Sequence, residues 1–245
     1  MPQQPTPQLS ELAEDFATVL CVVAHPDDIE YGTCAAVAKW TAAGKSVTYW
    51  LATRGEAGID TLAPAQAGPL REAEEIASAA VVGVDTVIFG DHRDGVVEYG
   101  LDLRRDIARE IRRRRPKLVI TGSYGHRFVG GMINQADHRA VGLACQDAVA
   151  DAGNRWIFPE LLDEGLDPHH VGLLAFAGAA EPTQFVDVTG HFGAAVASLE
   201  EHRAYNDALP DSFPKPPELL GWILGGGGQQ AGVEHALLLD VVERR

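Results

Sequence analysis

Four short apolar runs, residues 18–23, 46–51, 85–89 and 118–121, alternate with segments whose apolar residues recur at helical spacing, residues 29–43, 70–82, 101–114 and 137–151. Short β-branched runs read as buried strands, and their alternation with helices predicts βαβ units. The expected fold class is α/β, a mostly parallel sheet with helices on both faces. This order constrains chemistry as well as shape. Parallel strands joined by helices bring their C-terminal ends to one edge, and ligands bind outside that edge.

The loops at those strand ends are chemically unusual. The first strand runs into Ala24-His25-Pro26-Asp27-Asp28, and the second into a two-glycine loop, 52–58, that carries Arg54 and Glu56. The third ends in residues 90–95 with His92 and Asp94. The fourth opens a Gly-rich loop, 122–134, with Tyr124, His126 and Arg127, before Asp137-His138-Arg139 starts the next helix. Polar groups from His25 to His138 thus converge on one rim. Histidine and carboxylate suit zinc. Adjacent aspartates at a turn point in different directions, so one can bind metal while the other handles a proton. The plainer reading of Pro26-Asp27 is an ordinary helix start, with Pro first and an acid in the first turn.

Charge and composition narrow the partners. The formal net charge is −15, which argues against nucleic acid. The basic run 112–115 ends a helix, where cations complement the dipole. No 18-residue apolar stretch is present, so no membrane span is expected. Residues 1–16 are polar and Pro/Gln-rich, and read as a loose leader without signal-peptide character. Cys21, Cys34 and Cys145 lie in apolar or helical contexts and read as buried thiols of a reducing cytoplasm. The expected partner is a small molecule, and a homo-oligomer is compatible with the sequence.

Ala24-His25-Pro26-Asp27-Asp28, Thr53-Arg54-Gly55-Glu56-Ala57-Gly58 and Asp137-His138-Arg139 together resemble the LmbE-like family, which includes the N-acetylglucosaminyl-phosphatidylinositol de-N-acetylases. The resemblance spans roughly residues 19–149. It implies a Rossmann-like sheet and a mononuclear zinc hydrolase that removes the acyl group, typically acetyl, from an N-acyl amino sugar. Carried over residue by residue, His25, Asp28 and His138 would ligate one zinc ion, and Asp27 would be the general base. Glu56, Arg71 and Asp94 fall where the family holds sugar hydroxyls. Arg71 is placed at the head of the helix after the second-strand loop.

One departure concerns proton delivery. Many members read His-Pro-Asp-His where this chain has Gln135-Ala136-Asp137-His138. Gln135 can donate a hydrogen bond but cannot deliver a proton at neutral pH. His126, in the same loop, is the candidate replacement acid, and a proton returned by Asp27 is the alternative. Asp137 is read either as orienting a ligand or as a helix N-terminal acid. An amidase acting on a thiol-conjugate or other non-sugar amide, and a non-catalytic metal- or sugar-binding protein, stay open beside the deacetylase reading.

The second half is less regular. Residues 171–176 and 184–188 read as strands, 194–209 as one helix containing His202, and 237–241 as a last short strand. A Pro-rich stretch, 210–217, and four glycines, 225–228, are expected to bracket a mobile segment or a plain surface loop. No linker is evident, so one domain spanning 1–245 is expected.

Overall fold

The computed structural model describes residues 9–128 and 130–244. Its strands in chain order are β1 (Ser10–Glu11), β2 (Thr18–Val23), β3 (Ser46–Leu51), β4 (Thr86–Phe89), β5 (Leu118–Gly122), β6 (Leu173–Ala177), β7 (Gln184–Asp187) and β8 (Ala236–Glu243). The helices are α1 (Thr33–Ala42), α2 (Pro64–Val81), α3 (Leu101–Arg114), α4 (Ala136–Ala152), α5 (Glu160–Asp163), α6 (Phe192–Glu200), α7 (Arg203–Ala208) and α8 (Pro216–Ala231). The strands form one sheet in the order β1-β7-β8-β6-β5-β2-β3-β4. Only β8 runs antiparallel to its neighbours among the described strands.

Both faces of the sheet are covered, and β2 shows why. Its alternate residues Val19, Cys21 and Val23 join one apolar cluster with α1, α6 and α8. Leu20 and Val22, with Ala24 just beyond, join a second cluster with α3 and α4. Side chains of a strand alternate faces, so a continuous apolar run is what a doubly covered strand requires. The chain moves outward from β2 to β3 and β4, then returns to β5 on the other side of β2. The order therefore reverses between β2 and β5, and a crevice opens there at the strand ends.

Several expectations change. Residues 10–16 are tied down, because β1 pairs with β7 and Leu12 and Phe16 are buried; residues 1–8 of the expected leader lie outside the described residues. The helix expected over 194–209 breaks at His202, whose backbone is non-helical. Arg112 turns away from its own helix end and donates to the carbonyls of Ala152, Asn154 and Ile157, capping α4 instead. Cys21, Cys34 and Cys145 are buried free thiols, as expected. No helix among the described residues is long and apolar enough to cross a membrane.

The largest departure is the glycine run 225–228. It does not flank a loop but lies inside α8. Glycine weakens a helix interior, yet a methyl on Gly227 or Gly228 would fall on the carbonyl oxygens of Ala236 and Glu234. The glycines let α8 lie directly on the start of β8. Gly225, in contrast, faces open space. Gly227→Ala should therefore cost roughly 1–3 kcal/mol of stability by overpacking. Gly225→Ala should add about 0.5–1 kcal/mol. Urea denaturation of the two variants checks this, and equal effects would contradict the packing account.

Candidate active site at the strand-order reversal

The motif after β2 forms a turn. Residues 24–32 are not helical, α1 begins only at Thr33, and Asp27 has a φ of 88°. The turn is built by Asp28, whose Oδ2 accepts the backbone N–H groups of Ala24 at 3.1 Å and His25 at 2.9 Å. The helix-start reading of Pro26-Asp27 is thereby corrected. These aspartates organise a turn and do not complement a helix dipole.

His25, Asp28 and His138 come together at the β2/β5 crevice as one group able to hold a metal. Asp28 Oδ1 lies 3.0 Å from His138 Nε2, and Asp28 Oδ2 lies 3.6 Å from His25 Nδ1. The outer nitrogens are held by acceptors. His25 Nε2 meets Asp94 at 3.1 Å and Asp137 at 3.2 Å, partners that can only accept, so that nitrogen carries the proton. His138 Nδ1 lies 3.1 Å from Asn134 Oδ1 and donates to it. Each ring thus turns its other nitrogen toward Asp28, and a cation bound there would take the place of the proton on it. His138 Nε2 is buried and meets Asp28 Oδ1 without hydrogen-bonding geometry, which leaves it open to a metal. Burial opposes the charged form of Asp28, yet the two histidines hold it well below the usual carboxylate range.

The remaining loop carboxylates knit the rim together. Asp137 Oδ2 accepts Gly95 N–H at 2.7 Å and its Oδ1 accepts Val97 N–H at 3.1 Å, so it orients His25 and pins the loop after β4. Asp94 Oδ2 accepts Ala57 N–H at 2.7 Å, and Asp94 N–H donates to Glu56 Oε1 at 2.9 Å. Glu56 and Asp94 therefore lock the loops after β3 and β4 to each other.

Asp27, next to Asp28 in the turn, is held from the α2 side. Its Oδ1 lies 3.0 Å from Arg71 Nη2, and its Oδ2 accepts the Tyr31 hydroxyl at 2.9 Å. Burial pushes its carboxyl up, partly offset by Arg71. Arg71 is the eighth residue of α2, not its head, and is 2 % exposed. Its guanidinium packs against Gly55 and Gly58, where a Cβ would clash, and under the ring of Tyr205 at 3.8 Å. Arg71 is thus enclosed by protein and holds Asp27 and the Pro26 carbonyl.

His126 and Gln135 are both exposed, and no side-chain hydrogen bond joins either to the cluster among the described residues. Asn134, Tyr31, Tyr205 and Glu75 were not singled out from the sequence. A signal existed for Glu75: Arg71, Glu75 and Ser78 occupy the same helical face as Ala67 and Ala79, where apolar residues belong. Beside Asp28 and His138 lies a cavity of about 50 Å³, lined by Val23, Ile29, Ile120 and Val141 among others.

Comparison with known proteins places this geometry. The family described as GlcNAc-PI de-N-acetylase (PIG-L) matches residues 20–149. The chain is 29% identical over 199 residues to the diacetylchitobiose deacetylase of Thermococcus kodakarensis, covering 80% of this chain and 73% of that one. Its structure is similar to that of the N,N'-diacetylchitobiose deacetylase from Pyrococcus horikoshii, with a TM-score of 0.85 and 25% identity over 94% of this chain and 85% of that one. It also shares its fold with 4-carboxy-2-hydroxymuconate hydratase from Pseudomonas putida, at a TM-score of 0.77 and 19% identity over 93% and 97% of the two chains. The scaffold thus carries different reactions, and function must be argued from the site.

The Asn134–His138 bond is the contact most open to test. Affinity for a divalent metal, read by chelator competition, should fall roughly 10–100-fold in Asn134→Ala, the usual scale for such an outer partner. Asn134 Nδ2 also donates to the carbonyls of Ser123 and Gly125, so Asn134→Asp, which keeps the acceptor but loses both donors, should not restore it. Unchanged affinity in Asn134→Ala would contradict the role of Asn134 in holding the ring.

Proposed function

Because the chain belongs to the GlcNAc-PI de-N-acetylase family, we propose that it removes the acetyl group from an N-acetylated amino sugar, with one zinc ion per chain held by His25, Asp28 and His138. The observation that carries this reading is the convergence of His25 Nδ1 and His138 Nε2 on the Asp28 carboxylate at the β2/β5 crevice, with each ring held from behind through its other nitrogen. The diacetylchitobiose deacetylases of Thermococcus kodakarensis and Pyrococcus horikoshii support a small N-acetylglucosamine saccharide as substrate. The cavity of about 50 Å³ beside Asp28 and His138 supports a short acyl group.

Zinc bound there supplies Lewis acidity, polarising an amide carbonyl and acidifying water. Asp27 accepts the proton of the attacking water on its carboxylate. Burial raises its basicity, while Arg71 and Tyr31 fix the orientation of its two oxygens. The departing amine needs a proton, and Asp27 returns the one it took. The exposure of His126 and Gln135 supports this choice over either of them. Asp137 acts from behind His25 by holding its ring. Glu56 and Asp94, joined across two loops, keep unused lone pairs for sugar hydroxyls. Arg71 serves Asp27 and not the sugar.

Zinc-loaded protein should release amine from N,N'-diacetylchitobiose. Asp27→Asn should keep its zinc and lose on the order of 10²-fold or more in turnover. Asp28→Asn should instead lose zinc. Amine release and metal analysis on the three proteins check this. Zinc-loaded wild-type protein that releases no amine from this sugar or from N-acetylglucosamine would contradict the reading, as would a fully active Asp27→Asn.

A further inference from the structure

Behind Asp27 lies a second group of titratable side chains, sealed from solvent. Glu30, Glu75 and His202 are each 0% exposed. His202 Nε2 lies 3.6 Å from Glu30 Oε2 and 3.7 Å from Glu75 Oε2. Glu30 Oε1 accepts the hydroxyls of Ser78 at 2.9 Å and Ser198 at 3.4 Å. Glu75 Oε2 accepts the backbone N–H of Asp27 at 3.2 Å. Buried carboxylates are costly and persist only where they are compensated. None of these groups takes part in the chemistry proposed above, so their retention needs another account.

The account lies in the backbone of Asp27. A φ of 88° at a residue other than glycine is strained and persists only where the surroundings over-determine it. Two residues one turn apart on α2 supply that constraint. Arg71 holds the Asp27 carboxylate and the Pro26 carbonyl, and Glu75 holds the Asp27 N–H. Both are in turn covered by the α6–α7 joint. His202, at the helix break, faces Glu75, and Tyr205, within the next turn, lies over Arg71. Glu74 fastens the joint by accepting Ala204 N–H at 2.5 Å.

We propose that His202 and Glu75, steadied by Glu30, form a buried positioning clamp that sets the backbone of Asp27 and so aims its carboxylate. The clamp rests on the reading of Asp27 as the proton acceptor. A second metal ion is the competing occupant of the same three side chains. The geometry favours the clamp, because Glu75 Oε2 already serves the Asp27 N–H, and because neither ring nitrogen of His202 has a hydrogen-bond partner, so its Nδ1 lacks the outer contact that orients ligating histidines.

Hydrogen exchange at the Asp27 amide, read by mass spectrometry on short peptides across the turn, reports the clamp without any substrate. In zinc-loaded protein, Glu75→Ala and His202→Gln should speed that exchange by roughly tenfold or more, the loss expected for a hydrogen bond to a charged group. Glu75→Gln, which keeps an acceptor oxygen, should stay near wild type. With N,N'-diacetylchitobiose, kcat should fall in the first two variants while KM and zinc content hold, and Glu75→Gln should retain most of kcat. Exchange unchanged in Glu75→Ala would overturn the clamp. So would wild-type protein carrying two zinc equivalents of which His202→Gln loses one. Should wild type not act on the sugar, the deacetylase reading fails, while the exchange comparison still decides the clamp.

Discussion

Asp28 uses one oxygen to accept the N–H groups of Ala24 and His25 and turns the other toward Nε2 of His138. The turn after β2 and the approach of the two histidines therefore depend on the same carboxylate. Without it the backbone N–H groups at the end of β2 lose their acceptor, and the histidines lose the charge that brings them together. The sheet supplies the place. Strand order reverses between β2 and β5, so the chain leaves both strand ends in opposite directions and the crevice between them stays open.

Around this centre the loops are bound to each other more than to the sheet. Thr53 Oγ1 donates to the Ala24 carbonyl, Asp94 ties the β4 loop to Ala57 and His25, and Asp137 reaches back from α4 to Gly95 and Val97. Such mutual fixing is what a preorganised site requires, since a ligand set held by its own outer partners does not reorganise when charge develops. Asp27 is held separately, from the α2 side, by Arg71, Tyr31 and Glu75. The two neighbouring aspartates of one motif thus belong to two different networks.

Much of this was legible before the structure. Apolar runs without alternation marked β2, β3 and β5 as doubly covered strands, and α3 was delimited by its amphipathic period and by Pro116 beyond it. Their places after strands brought His25, Asp28 and His138 to one rim, and the family resemblance singled them out from the other polar groups there. What escaped was set by packing. Gly225–Gly228 reads as a loop until the carbonyls of Glu234 and Ala236 are brought against it. His202 reads as mid-helix until its burial against Glu30 and Glu75 accompanies a break. The positive φ of Asp27 was not read from the sequence, and the residues that hold its N–H and carboxylate, Glu75 and Arg71, come from a helix more than forty residues away. Asp94 and Arg71 were expected at the sugar; each carries a contact to His25 or Asp27 that no spacing rule reveals.

The crevice where His25, Asp28 and His138 converge, and not the sealed group behind it, is the proposed place of the metal. Anomalous diffraction at the zinc absorption edge, from crystals grown with zinc, addresses it directly. The account predicts a peak about 2.0–2.2 Å from His25 Nδ1, an Asp28 oxygen and His138 Nε2. A peak among Glu30, Glu75 and His202 with none at the crevice would contradict it.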